Sequence, residues 1–214
     1  MNAICRLTGL IALEGARSRR PTTALRSIPP GRVLFHAGTA ATSMYAIRRG
    51  TVKLTRITAD GDEEIQSFHT AGEVLGLEGF GHEVYAYDAV ALDSVQYCEL
   101  PLPKMDASPT QAPIASELVR LLSKRFWRGG PSRGSIRERV IAFLLDLSRR
   151  RAGRGLDGLN LKLAMSRMEI ANFLGTRIET VSRVLQQLHR EHAIQIRGSR
   201  VTLGLLMLDQ STQG

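Results

Sequence analysis

Cysteine is scarce: the 214 residues contain two, Cys5 and Cys98. Two thiols exclude a disulfide framework, and with it the small stapled domains of secreted proteins. No His-x-His pair occurs anywhere, so the paired histidine ligands that a metal-dependent β-barrel enzyme would want beside a Glu are missing. His189 and His192 are three apart on an expected helix, which packs within a two-helix unit rather than around a metal. No apolar run is long enough to span a bilayer, the longest being broken by Arg or Asp. Ile4 to Leu13 is too short and too weakly apolar for a secretory signal, and no small-residue cleavage site follows it. The expectation is a cytoplasmic protein, not an enzyme, without a metal site.

What remains is an ordinary globular composition, 43% hydrophobic and 23% charged, in a chain long enough for one or two domains with a real core. The formal charge of +9 is unevenly placed: residues 1–131 carry a net +2 and residues 132–214 a net +7. A basic half of this kind attracts polyanions and speeds their association.

The basic half contains its own reason for wanting one. Ser166-Arg167-Met168-Glu169 has the form of a capping box, and Ile170, Ala171, Phe173 and Leu174 supply the apolar side of a helix that stops at Gly175. Thr176 to Glu179 has the form of a second box. Beyond it Ile178, Val181, Val184, Leu185 and Leu188 recur at helical spacing, leaving Arg177, Glu179, Ser182, Arg183 and Gln186 opposite. Two helices joined by such a turn make a helix-turn-helix, whose second helix lies in the major groove. There Arg183 can donate a bidentate pair to guanine, Glu179 can accept from the cytosine amino group, and Ser182 can do either.

Read in order, Met1 to Arg26 is poorly patterned and forms a lead-in (1–26). From Ile28 the chain becomes short strands: Val33–Phe35, Met44–Ile47, Val52–Ile57, Glu64–Phe68, and a run from Val84 to Leu100 through Tyr85 and Tyr87. Gly38, Gly50, Gly61 and Gly72 punctuate them, and Asp60-Gly61-Asp62 reads as a hairpin turn. Regular short strands imply a β-roll of sandwich or barrel type over 27–103. Pro113 opens a helix running to about Arg128, within 113–130, whose stripe Ile114, Leu118, Leu121, Leu122 and Phe126 suits a dimer seam or a cover for the β-domain. Gly129-Gly130-Pro131 ends it. A further helix starts at Ser135, boxed by Glu138, and closes with Arg149, Arg150 and Arg151 at its negative end. Leu159, Leu161 and Leu163 alternate as a strand. Ile194–Ile196 and Val201–Leu203 flank Arg197-Gly198-Ser199-Arg200, a hairpin with arginines at its tip, completing a DNA-binding domain over 132–207.

A glycine-punctuated β-roll, a connecting apolar helix and a C-terminal winged helix-turn-helix together resemble the Crp–Fnr family of bacterial transcription regulators, over roughly Ile28 to Leu203. The most specific segment is Gly175 to Arg183, where Glu179-Thr180-Val181-Ser182-Arg183 is similar to the family's recognition-helix motif. The cyclic-AMP branch has Arg before that Glu and Gly three residues after it. Ile178 and Ser182 stand in those places, so the likeness is to the Fnr-like branch, which reads TTGAT half-sites in an inverted repeat. The resemblance implies an α+β fold, with a jelly-roll sensor like a cyclic-nucleotide-binding domain, a dimerisation helix and a winged helix. It implies double-stranded DNA as partner, a homodimer, and RNA polymerase as a further contact. Glu179, Ser182 and Arg183 would read bases. Arg167, Thr176, Arg177, Arg197, Ser199 and Arg200 would meet phosphates, which position without specifying.

The sensor departs from its relatives. Oxygen-sensing members hold a [4Fe–4S] cluster through four thiolates. Cys98 looks like the distant ligand, but only Cys5 precedes it. Gly72-Glu73-Val74-Leu75-Gly76 is similar to the start of a cyclic-nucleotide phosphate cassette, which also needs an Arg. Gly81-His82-Glu83-Val84-Tyr85 offers the anion Glu83 instead. No cluster and no tight cyclic-nucleotide binding are expected. Haem stays open, with His36, His69 and His82 scattered. Gly129-Gly130-Pro131 shortens the dimer helix to about 16 residues, roughly 24 Å. The alternative is a ligand-binding β-roll whose DNA module is vestigial or non-specific.

Overall fold

The computed structural model describes residues 24–102 and 134–204, together with Ser116, Val119 and Met207. The chain divides into two compact units, Met1–Arg128 and Gly129–Gly214. The expected dimer seam (Ile114, Leu118, Leu121, Leu122, Phe126), the Gly129-Gly130-Pro131 break and Cys5 all lie outside the described residues.

The first unit is two four-stranded antiparallel sheets. Strands β1 (Leu25–Ile28), β2 (Val33–Phe35), β3 (Ser43–Arg49), β4 (Thr51–Ile57), β5 (Glu63–Thr70), β6 (Val74–Leu75), β7 (Asp88–Ala91) and β8 (Val95–Pro101) pair in the orders β1-β8-β3-β6 and β2-β7-β4-β5. The inward sides of both sheets meet in one core that includes Phe35, Ile47, Leu54, Leu75, Tyr85 and Tyr97. Sharp turns make this roll close. At Gly50, φ is +91°, and a Cβ would stand 2.6 Å from the Ser94 carbonyl oxygen, so only glycine fits there. The Thr51 amide beside it donates to Asp93 Oδ1 at 2.7 Å. The β4–β5 hairpin turns through Gly61 at φ +87°, where Thr58 N–H donates to the Asp62 carbonyl at 2.9 Å.

Two expectations are corrected here. The roll begins at Leu25, inside the stretch expected as lead-in. β1 joins the sheet by backbone pairing with β8 while Leu25 stays 59% exposed, so it shows no apolar alternation to read. The run from Val84 to Leu100 is not one strand. Leu92 to Ser94 break it into β7 and β8, and Tyr85 precedes both, its ring stacked 4.0 Å from Phe35. A short helix, α1 (Gly79–His82), was not foreseen.

The second unit contains α2 (Ile136–Ala152), α3 (Arg167–Phe173), α4 (Ile178–Arg190) and a three-stranded sheet of β9 (Asn160–Lys162), β10 (Ile194–Arg197) and β11 (Arg200–Leu203), in the order β10-β11-β9. Both serine capping boxes form. Glu138 N–H donates to Ser135 Oγ at 3.3 Å while Ser135 N–H donates to Glu138 Oε2 at 2.7 Å. The corresponding distances at Ser166 and Glu169 are 3.1 and 2.8 Å. Val140, Leu144, Ile170, Val181 and Leu188 are fully or almost fully buried, and they lock α2, α3 and α4 around one core. The leucine strand is shorter than expected: Leu161 alone faces the core, and Leu159 is 40% exposed. His192 lies beyond the end of α4 with φ +57°, so it does not share a helix with His189.

Candidate nucleic-acid interface

The interface starts from how α4 is set. Gly175, at φ +59°, ends α3 in the left-handed conformation that glycine adopts without strain. The Thr176 amide then donates back to the Ala171 carbonyl at 2.9 Å, so Thr176 belongs to the turn and not to the cap. Arg177 is the cap residue, extended at φ −92° and ψ 149°, and its side chain accepts nothing. The expected Thr176–Glu179 capping box therefore does not form: the chain enters the helix one residue later, and an arginine has no acceptor to offer.

From that start α4 is strongly two-faced. Val181, Val184, Leu185 and Leu188 are buried, whereas Glu179, Arg183 and Gln186 are exposed and Ser182 is half-buried. Glu179 and Arg183 stand one turn apart. Among the described residues neither makes an ion pair or a side-chain hydrogen bond, so both arrive at a ligand with their chemistry unspent. The far end of the helix is tied down instead: Arg137 Nη2 on α2 lies 2.6 Å from Glu191 Oε2. That hydrogen bond, with a second from Gln187, holds the Glu191 carboxyl below its usual range.

The sheet supplies a second basic feature. Arg197 pairs with Arg200 across the two-residue turn Gly198-Ser199, and Arg200 pairs on its other side with Lys162 of β9. Directly opposed residues share a face, so Arg197, Arg200 and Lys162 form one row of three cations across the outer face of the sheet. Gln195, Thr202 and Asn160 form the next row, with Thr202 Oγ1 donating to Asn160 Oδ1 at 2.8 Å. The opposite face is apolar and buried at Ile194, Val201, Leu203 and Leu161. Sequence reasoning missed Lys162, because only the β9–β11 register reveals its neighbours. Arg167 sits in the first turn of α3, half-buried, with Nη1 enclosed and unbonded. Ser199 spends its carbonyl on the Leu163 amide at 2.8 Å and keeps its hydroxyl free.

Residues 25–107 match the cyclic nucleotide-binding domain family and residues 138–207 the Crp-like helix-turn-helix domain family. The fumarate and nitrate reduction regulatory protein of Escherichia coli K12 is 35% identical over 185 residues, covering 83% of this chain and 74% of that protein. The chain belongs to the Crp–Fnr family. Its place is in the Fnr-like branch, as the 36% identity over 182 residues with the transcriptional activator protein anr of Pseudomonas aeruginosa also indicates, covering 82% and 75% of the two chains. The structure of FixK2 from Bradyrhizobium japonicum superposes with a TM-score of 0.67 at 25% identity, covering 89% of this chain and 97% of that one. As a Crp–Fnr member the chain is a DNA-binding transcription regulator and not an enzyme.

Two groups that the family brings to mind do not fit these residues. A cubane cluster needs four thiolates, and this chain supplies two. Cys98 lies half-buried on β8 between Leu25 and Ala46, and no group of three or more metal-ligating side chains occurs among the described residues. For a cyclic nucleotide, the expected phosphate cradle presents Glu83, exposed at φ +58°, where an arginine is wanted. Glu73 is buried and already accepts from the Thr70 amide at 2.7 Å. Between the sheets the rings of Phe35, Tyr45, Tyr85 and Tyr97 pack on one another at 4.0 to 6.3 Å. Burial and a hydrogen bond with Tyr85 push the Tyr45 phenol up, so it stays neutral.

Proposed function

We propose that this regulator reads a TTGAT-like inverted repeat as a homodimer, without an iron–sulfur cluster or a cyclic nucleotide as its switch. The observation that carries this reading is the exposed, unpaired Glu179 and Arg183 on a helix whose other face is locked into the core. Arg183 donates its guanidinium fork to a guanine, Glu179 accepts from the cytosine amino group, and Ser182 bonds the adjoining base edge. Arg167, Thr176, Arg177, Arg197, Ser199 and Arg200 meet the phosphates on either side, with Lys162 added to the row on the sheet. Two such modules on one palindrome sit about one helical turn apart. The charge of residues 132–214 speeds encounter with any duplex, and the three base contacts select among them.

The test is fluorescence anisotropy on a TTGAT–ATCAA inverted-repeat duplex and a scrambled one, over a salt series, with protein purified under nitrogen and its visible spectrum recorded first. Colourless protein that prefers the repeat supports the reading. Equal, steeply salt-dependent binding to both duplexes sinks it.

A further inference from the structure

The first turns of α2 carry three charged side chains in a row, and two of them are spent inside the fold. Arg137 Nη2 lies 2.6 Å from Glu191 Oε2, and Glu138 Oε2 accepts from the Ser135 amide at 2.7 Å. Arg139 is not spent. Among the described residues it makes no ion pair and no side-chain hydrogen bond, and its Nε is buried without an acceptor. Its guanidinium reaches the turn between α3 and α4, where a Cβ on Gly175 would stand 3.5 Å from Nη2. The carbonyls of Ile170, Ala171 and Asn172, near the end of α3, already accept from the Leu174, Thr176 and Gly175 amides at 2.9 Å. A cation drawn out of water without an acceptor costs the fold stability, so an anion from outside suits this place. The turn also leads directly into α4 through Thr176 and Arg177. A helix that enters the major groove carries such a turn to the edge of the groove, where the sugar–phosphate backbone runs.

We infer that Arg139 is a further DNA-binding residue, whose guanidinium passes beside the α3–α4 turn to hold one backbone phosphate at the edge of the groove that α4 enters. This rests on α4 being the helix in the groove, and adds a contact made from a different helix. The chemistry fits the atoms. A phosphate offers its non-bridging oxygens to the planar fork and gives the buried Nε an acceptor. Gly175, having no side chain, leaves the approach open. Anchored on α2, the contact steadies α4 in the groove without touching a base, so it strengthens binding to every sequence alike.

The test neutralises each phosphate of the half-site in turn by methylphosphonate substitution. Affinity is measured by anisotropy for the unaltered chain, Arg139→Gln and Arg139→Lys. Arg139→Gln should bind cognate and scrambled duplexes about tenfold more weakly per half-site, the factor of one charge-assisted hydrogen bond. Its salt slope should flatten by about 1.8 for a dimer. At one phosphate the methylphosphonate penalty of the unaltered chain should vanish in this variant, while the penalties at all other phosphates persist. Arg139→Lys keeps the charge but not the fork, so it should keep the salt slope and show a smaller penalty at that same phosphate. Melting curves run alongside, and the lysine variant carries the test if Arg139→Gln does not fold. The inference is overturned if either variant retains every methylphosphonate penalty in full, the result expected of a residue that only props the turn. Loss of the preference for the repeat over scrambled DNA is a different failure, that of the base-reading role, and it leaves the phosphate scan readable on either duplex.

Discussion

Arg197 and Arg200 face each other across the β10–β11 hairpin, with Lys162 of β9 beside Arg200, an opposition of like charges at the hairpin tip. Like charges directly opposed on a sheet destabilise it, by an amount comparable to the 0.2–1 kcal/mol of a favourable cross-strand pair. These side chains reach solvent, so screening reduces that figure to about 0.5 kcal/mol or less. Arg200→Gln relieves the repulsion with Arg197 directly opposite. The variant should melt about 2–4 °C higher than wild type, taking about 0.5 kcal/mol in a domain of this size. Its DNA binding should move the other way. Each phosphate contact contributes about −0.9 to the slope of log affinity against log salt, so losing one per protomer should flatten the slope of a dimer by about 1.8. Cognate and scrambled duplexes should lose affinity equally, because phosphates carry no sequence information. Gln195→Ala, on the same face but uncharged, is the control and should change neither quantity. Calorimetry together with anisotropy over a salt series decides the matter. A variant that melts no higher and keeps the wild-type slope would refute a phosphate-facing row.

Arg183→Ala should cost about 1–3 kcal/mol on the cognate duplex and much less on scrambled DNA, and equal losses on both would assign Arg183 to the phosphates instead. Ser166→Ala removes the cap of α3 and should destabilise the second unit by about 1 kcal/mol in denaturant titration, whereas Thr176→Ala, which caps nothing, should not. Gly50→Ala meets both a positive φ and the Ser94 carbonyl oxygen at 2.6 Å, so a loss of at least about 2 kcal/mol from the β-roll is expected; an unchanged melting curve would mean that the β3–β4 turn is looser than this. Acid should loosen the second unit. Glu191 is held below its usual 4.5 by the bond from Arg137 and then Gln187, and Asp157 below 3.8 by the Asn160 side chain and then the Leu159 and Asn160 amides. A depressed carboxyl stabilises the fold above its unfolded pKa, and that contribution fades as pH falls through the lower folded value. Melting temperature should therefore drop below about pH 4.5, and Glu191→Gln should flatten the upper part of that decline.

What the sequence disclosed was whatever depends on near neighbours in the chain. The two serine boxes, the Gly175 stop and the two faces of α4 each occupy a few consecutive residues, where the spacing of apolar positions and one capping side chain decide the outcome. The Thr176 box failed within the same range for a specific reason. Its form is right, but the left-handed glycine before it sends the Thr176 amide back to Ala171, and the extended residue becomes Arg177. Turn geometry overrode the pattern.

Features that depend on pairing were less accessible. β1 is an edge strand without apolar alternation, and the break at Leu92–Ser94 is marked only by Asp93-Ser94, without a proline or glycine. Lys162 is the clearer case. In the sequence it is one cation between two leucines, 35 residues from Arg197; in the fold it stands next to Arg200 because β9 adds to the outer edge of the hairpin. This division follows the two tasks of a DNA-reading domain. Specificity resides in a helix, where residues 3 and 4 apart are neighbours, so a short motif can spell it out. Non-specific affinity resides in charge summed over a surface, which strands distant in sequence assemble. A chain can thus announce which bases it reads well before it shows how tightly it holds the backbone between them.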